Sequence, residues 1–120
     1  MCGEFFLGQQ NYVNAKKMID AGCDVALATD FNPGSCTINS LPQIMFLAMS
    51  YCNMTFEQAF KGITHNAAKA INRQSEIGLI KEGYSADLLF WDIDDIYEIP
   101  YWFNSERLFK IIKSGQLIDF

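Results

Sequence analysis

The sequence is poor in the residues from which most sites are built. Its 120 residues include a single histidine, His65, and only three prolines. Its cysteines, Cys2, Cys23, Cys36 and Cys52, are separated by 21, 13 and 16 residues, so no C-x-x-C pair occurs. That spacing excludes a zinc knuckle and a dithiol redox motif. Met1 is followed by Cys-Gly-Glu, not by a basic and then an apolar stretch. The four cysteines are therefore expected as free thiols in a reducing, cytoplasmic setting. Positive charge is scarce as well, with nine Lys and Arg against fourteen Asp and Glu and no basic cluster. A net charge of −5 argues against a nucleic-acid partner, because phosphate binding is driven by clustered cations. No apolar run approaches the roughly 20 residues needed to cross a bilayer, so no membrane partner is expected.

What the sequence has in quantity is apolar and aromatic volume. Half of the residues are hydrophobic, among them ten Phe, five Tyr and two Trp. This is enough to bury a core and excludes a disordered chain, while the length suits one domain at most.

Patterning divides the chain in two. Glu4 to Gly8 reads as a short aromatic strand. Asn14 to Ala21 puts Ala15, Met18 and Ile19 on one helical face, with Gly22 at the usual stop position. Asp24 to Asp30 is apolar on both faces, the pattern of a strand buried in a parallel sheet. After the turn residues of Phe31 to Cys36, Ser40 is an N-cap and Pro42 lies in a first turn. Leu41, Ile44, Met45, Ala48 and Cys52 then recur at helical spacing. Thr55 to Gln58 has the form of a capping box, and a single stripe runs from Phe56 to about Ile71, so two helices are expected after the loop. Beyond residue 75 the texture changes. Gly78 and Gly83 bracket one expected strand, Ala86 to Trp91 forms another, and an acidic, aromatic connection leads from Asp92 to Asn104. Leu108 to Ile118 then reads as a hairpin turning at Gly115. The class is α/β, and a parallel strand-helix-strand unit needs neighbouring strands that these residues do not supply. The sheet is either completed elsewhere or belongs to a larger α/β protein.

Chemistry points to Ala28 to Ser35. Asp30 stands at the carboxyl end of a buried strand, the edge at which catalytic groups collect in parallel α/β folds. A carboxylate there can bind a metal ion, take a proton from water, or do both. Asn32 adds an amide, Ser35 a hydroxyl, and Gly34 a backbone that a ligand can approach closely. The plainer alternative is that Asp30 only holds the turn through backbone bonds.

Met18 to Gly22 together with Val25 to Ser35 resembles the C-terminal part of an imidazolonepropionase of the amidohydrolase superfamily. Ser40-Leu41-Pro42, Thr64 to Ala70 and Ile77 to Leu88 agree with it in order and spacing. Thr29-Asp30-Phe31-Asn32-Pro33-Gly34-Ser35 is the stretch specific to imidazolonepropionases. The resemblance implies the C-terminal fragment of a (β/α)8 TIM barrel, with strand eight near Val25 to Thr29 and strand seven near Glu4 to Leu7. Residues 1–75 would hold the last barrel strands and helices, and residues 76–120 the C-terminal part of a small composite β-sandwich. A whole barrel takes about 250 residues. The implied activity is hydrolysis of 4-imidazolone-5-propanoate to N-formimidoyl-L-glutamate in histidine degradation. It uses a Zn or Fe ion whose water attacks the ring carbonyl as the C–N bond opens.

On this resemblance Asp30 is both metal ligand and proton carrier, and Asn32, Gly34 and Ser35 contact substrate or product. The family's histidine ligands and its carboxylate-binding arginine fall before the matched region, so the 120-residue chain is expected to be inactive alone. The implied partners are a small-molecule substrate and a second copy in a homodimer. Two other readings stand beside this one. The first is a different amidohydrolase, a deaminase or another cyclic amidase, and the second is a non-catalytic remnant that folds by docking on a partner.

Several conspicuous residues are assigned structural roles. His65 lies in a helical packing segment, and Asp87 is expected to satisfy backbone donors of a turn. Glu57 suits a helix start, and the Tyr97 to Phe103 aromatics suit packing or a subunit contact. Cys36 follows the site loop with no His or Lys close in sequence to activate it, so it is not read as a nucleophile.

Overall fold

A computed structural model describes residues 12–103 and 107–119. The strand expected at Glu4 to Leu7 lies outside the described residues. Helix α1 (Ala15–Asp20) is capped by Asn14, whose side chain accepts from the Lys17 amide. It ends in a Schellman turn, with Cys23 N donating to Met18 O and Gly22 N to Ile19 O, and Gly22 takes the left-handed φ of +86° that this turn requires.

Helix α2 (Leu41–Tyr51) starts at the expected Ser40 cap with Pro42 in its first turn, and buries Ile44, Met45, Leu47 and Ala48. Helix α3 (Phe56–Ile63) starts at the expected capping box. Thr55 Oγ1 accepts from Gln58 N, and Gln58 Oε1 accepts from Thr55 N. The stripe expected to run on as one helix is split, because α4 (His65–Ala70) begins after a break at Thr64. Thr64 Oγ1 donates to the Phe60 carbonyl at 2.7 Å, displacing the backbone bond that would have continued α3, and the Thr64 amide turns to Lys61 O. Three helices therefore follow the loop instead of two. The core lies between α2 and α3, where Cys36, Ile38, Cys52, Met54, Phe56, Ala59 and Ile99 close around Ile44, Met45 and Leu47.

The second half holds a three-stranded antiparallel sheet in the order β1 (Leu88–Trp91), β2 (Leu108–Lys113), β3 (Gln116–Ile118). Strand β1 pairs Leu88 with Ile112 and Leu89 with Ile111, with an irregularity at Phe90/Trp91. The expected hairpin is present, and its two-residue turn has both φ angles positive, Ser114 at +52° and Gly115 at +79°. That combination matches the twist of the strands it joins.

The strand expected between Gly78 and Gly83 is absent. Both glycines adopt positive φ, +89° and +82°, and the intervening residues run as an irregular loop with Ile80 90% exposed. This excursion is pinned at its base by Ser85 N to Glu76 O and by Tyr84 OH to Gln74 O. Among the described residues there is one sheet, and the composite sandwich is not seen.

Asp24 to Asp30, read as a strand buried on both faces, has no ladder partner among the described residues. Its exposure alternates in the manner of a strand: Val25 and Leu27 pack on the core, while Ala26 and Ala28 face outward. Helices α3 and α4 hold it from one side. Leu27 N donates to Gly62 O, Asn66 Nδ2 donates to Val25 O at 2.9 Å, and a Cβ on Gly62 would lie only 3.0 Å from Leu27 Cγ.

Candidate functional site

Asp30 terminates this segment in the left-handed region at φ +53°, a conformation that Asp tolerates better than most residues. Its residue is half-buried. No hydrogen bond or ion pair engages its carboxylate among the described residues. All the other interactions in the loop involve its neighbours. Asn32 Oδ1 accepts from Gly34 N at 2.9 Å and Ser35 N at 2.8 Å, while Asn32 Nδ2 donates to Asp30 O at 2.7 Å and Ser35 Oγ at 3.1 Å. The base of the loop is closed by Asn32 N to Cys36 O at 2.8 Å. Phe31 N donates to Thr29 Oγ1, and Cys36 Sγ donates to Thr29 O.

The structure thus brings the four sequence-predicted residues, Asp30, Asn32, Gly34 and Ser35, into one closed turn. Gly34 is exposed without positive φ, and a Cβ there would meet only Asn32 Oδ1 at an ordinary 3.4 Å. Nothing in the chain itself requires glycine at this position. Chemically, the loop offers one unpaired carboxylate on a rigid base, able to accept a proton or to ligate a cation.

A metal site is a different matter. Among the described residues no three His, Cys, Asp or Glu side chains converge. One carboxylate is too few for a catalytic metal, which takes three protein ligands or so. The described residues do not fit a metal ion by themselves, and no step of a reaction is routed through one.

The remaining conspicuous residues lie elsewhere. His65 opens α4 with its Nδ1 buried and unpartnered. Asp24 hydrogen-bonds Lys69, and the two lysines Lys69 and Lys61 hold its carboxyl below the usual carboxylate range. Asp87 accepts from the Ser114 amide and from Lys113, so it satisfies a backbone donor of the hairpin turn. Glu57, at the first turn of α3, accepts from Tyr97 OH, while the Tyr97 ring packs on Phe56 at 4.5 Å between centroids. Phe103 packs on Phe46 of α2. Sequence reasoning missed two residues that act on the site segment. Asn66 reaches Val25 across 41 residues of sequence, and Cys36 caps Thr29. The Asn66 contact carries no local signal, since it depends on how distant segments meet.

No helix among the described residues is long and apolar enough to cross a membrane. The chain is 41% identical over 95% of its length to an imidazolonepropionase of Bacillus velezensis. It is 42% identical over 95% of its length to one of Alkaliphilus oremlandii, and 40% identical over 97% to one of Kosmotoga olearia. It spans between 27% and 29% of the length of these curated relatives. The model of the amidohydrolase family matches residues 7–118, which takes in both the Asp30 loop and the sheet. With nearly every residue inside that match, the chain belongs to the amidohydrolase family, whose fold is the TIM barrel and whose members generally act on small molecules with a divalent metal.

Proposed function

We propose that this chain forms the C-terminal part of an imidazolonepropionase, a hydrolase that opens the cyclic amide C–N bond of 4-imidazolone-5-propanoate to give N-formimidoyl-L-glutamate in histidine degradation. The observation that carries the reading is the unpaired Asp30 carboxylate at the mouth of a closed Asn32–Ser35 turn, within a segment about 40% identical to proteins of that name. In this reading Asp30 accepts the proton of the attacking water and returns it to the departing ring nitrogen. Asn32, Gly34 and Ser35 form the wall that substrate or product meets. Asp30 also supplies one carboxylate to a Zn or Fe ion, whose other ligands are not among the described residues.

Residues 1–75 would then hold the last strands and helices of the barrel, with Val25 to Thr29 as the eighth strand. The outward Ala26 and Ala28 suit a tightly packed barrel interior. Residues 76–120 would belong to a composite β-sandwich. Leu89 and Ile118, both exposed and both in register with Ile111 on one face of the sheet, are the side chains a second sheet would cover, and a homodimer is part of the same reading.

The test is a graft. The matching C-terminal segment of the Bacillus velezensis imidazolonepropionase is replaced by this chain, and hydrolysis of 4-imidazolone-5-propanoate is assayed. We expect an active chimera, and a loss of about 10²-fold or more in kcat for its Asp30→Asn variant. The 120-residue chain alone should show no activity. A folded, inert chimera, or an Asp30→Asn chimera as active as its parent, would overturn the reading.

A further inference from the structure

The backbone is held on both sides of Asp30 by side chains, whereas its own carboxylate is held by none. On the N-terminal side, the Thr29 carbonyl accepts the Cys36 thiol at 3.1 Å. On the C-terminal side, the Asp30 carbonyl accepts Asn32 Nδ2 at 2.7 Å. These two peptide planes set the φ and ψ of Asp30, and with them the direction of its Cα–Cβ bond. A left-handed backbone costs a residue other than glycine about 1–2 kcal/mol, and it persists only where the surroundings over-determine it.

Both donors are themselves fixed. Cys36 is fully buried at 0% exposure, so its S–H has no solvent alternative, and the other carbonyl within its reach, Ile38 O, is much farther at 4.0 Å. The Asn32 amide cannot flip, because Oδ1 is committed to the amides of Gly34 and Ser35, which leaves Nδ2 facing Asp30 O and Ser35 Oγ. The loop therefore uses its polar groups to aim one carboxylate and leaves that carboxylate unpaired.

We propose that Cys36 and Asn32 are positioning residues for Asp30, with the Cys36 thiol acting as a buried hydrogen-bond donor and the Asn32 amide as a strut. The inference rests on the reading of Asp30 as the reacting carboxylate, although its test does not require activity. A chimera without hydrolase activity would sink that reading and leave the signals described next untouched.

The experiment is solution NMR on the full 120-residue chain, isotopically labelled. It reads the backbone φ of Asp30 from its amide-to-Hα coupling and carbon shifts, and the exchange protection of the Gly34 and Ser35 amides. Cys36→Ala should abolish the left-handed signature of Asp30, and Cys36→Ser, which keeps a donor at that position, should restore it. Asn32→Asp keeps the oxygen that receives Gly34 and Ser35 but lacks the donor to Asp30. It should retain amide protection while losing the Asp30 signature, whereas Asn32→Ala should lose both. A role confined to general stability would not separate these variants. The proposal is overturned if Asp30 keeps its signature in Asn32→Asp, or if serine at position 36 restores nothing that alanine loses. Should Cys36→Ala fail to fold, the two Asn32 variants decide the matter, since they alter a half-buried loop residue outside the core.

Discussion

Asn66 Nδ2 lies 2.9 Å from the Val25 carbonyl and joins the first turn of α4 to the segment that carries Asp30. Asn66 is 7% exposed, the one polar residue in the buried set of the described structure. Removing its amide leaves a carbonyl unsatisfied, at a cost of about 1–3 kcal/mol. Asn66→Ala should therefore lower the unfolding free energy by that amount, seen as a lower urea midpoint, and raise amide exchange at Leu27, which is held by the neighbouring Gly62 carbonyl. Exchange unchanged at Leu27 would mean that the two contacts do not act together.

Gly78 and Gly34 should respond in opposite ways to the same substitution. At Gly78 a Cβ would sit 2.9 Å from Ala68 Cβ and 3.0 Å from Thr64 O, on a backbone with φ +89°. The left-handed conformation alone costs alanine about 1–2 kcal/mol, and the contact with α4 adds to it. At Gly34 a Cβ would make only an ordinary 3.4 Å contact with Asn32 Oδ1 and φ is not positive, so alanine should stabilise the chain by about 0.4–1 kcal/mol through the unfolded state. In the active chimera, any loss of kcat/KM caused by Gly34→Ala would then report the approach of a ligand. Denaturant titration of the two variants side by side checks the pair.

Asp87 gives a pH dependence whose sign is fixed by its partners. The Lys113 ammonium, then the Ser114 amide, hold its carboxyl below the ordinary value of 3.8. The folded state therefore favours the ionised form more than the unfolded state does. The resulting stabilisation is complete above the unfolded value and fades as pH falls toward and through the folded one. The gap in thermal midpoint between the parent chain and Asp87→Asn should be open at pH 7 and narrow steadily below about pH 4. A gap independent of pH would show that the ionised form is not what the hairpin uses.

Where the sequence could be read, the deciding interactions were local. Ser40, the Thr55–Gln58 box and the Ser114-Gly115 turn each satisfy backbone groups within a few residues, so their chemistry is visible in a short window. The Asp30 to Ser35 turn was legible for the same reason, since Asn32 bonds only to residues two or three positions away. Reading failed where a competing bond or a distant surface decided the outcome. The hydroxyl of Thr64 broke a helix that its apolar stripe would have continued. Two left-handed glycines and the packing of Gly78 on α4 turned an expected strand into a looped excursion. The one-sided burial of Asp24 to Asp30 depends on α3 and α4, and no periodicity within the segment could have disclosed it.

Asp30 should show that the group carrying the chemistry contributes little to the fold. Its carboxylate has no partner among the described residues, so Asp30→Asn removes a charge without removing a bond. Asparagine also tolerates the left-handed backbone, and the change in unfolding free energy should stay within about 0.5 kcal/mol. Asp30→Gly should do better than neutral. It relieves the strain at φ +53°, and after the entropy cost of a more flexible unfolded chain it should gain up to about 1 kcal/mol. A residue kept in a conformation that glycine would occupy more cheaply is retained for its side chain. If both variants instead destabilise the chain by more than 1–2 kcal/mol in denaturant titration, Asp30 is a structural residue of the turn. The chimera assay on Asp30→Asn would then lose its meaning as a probe of chemistry.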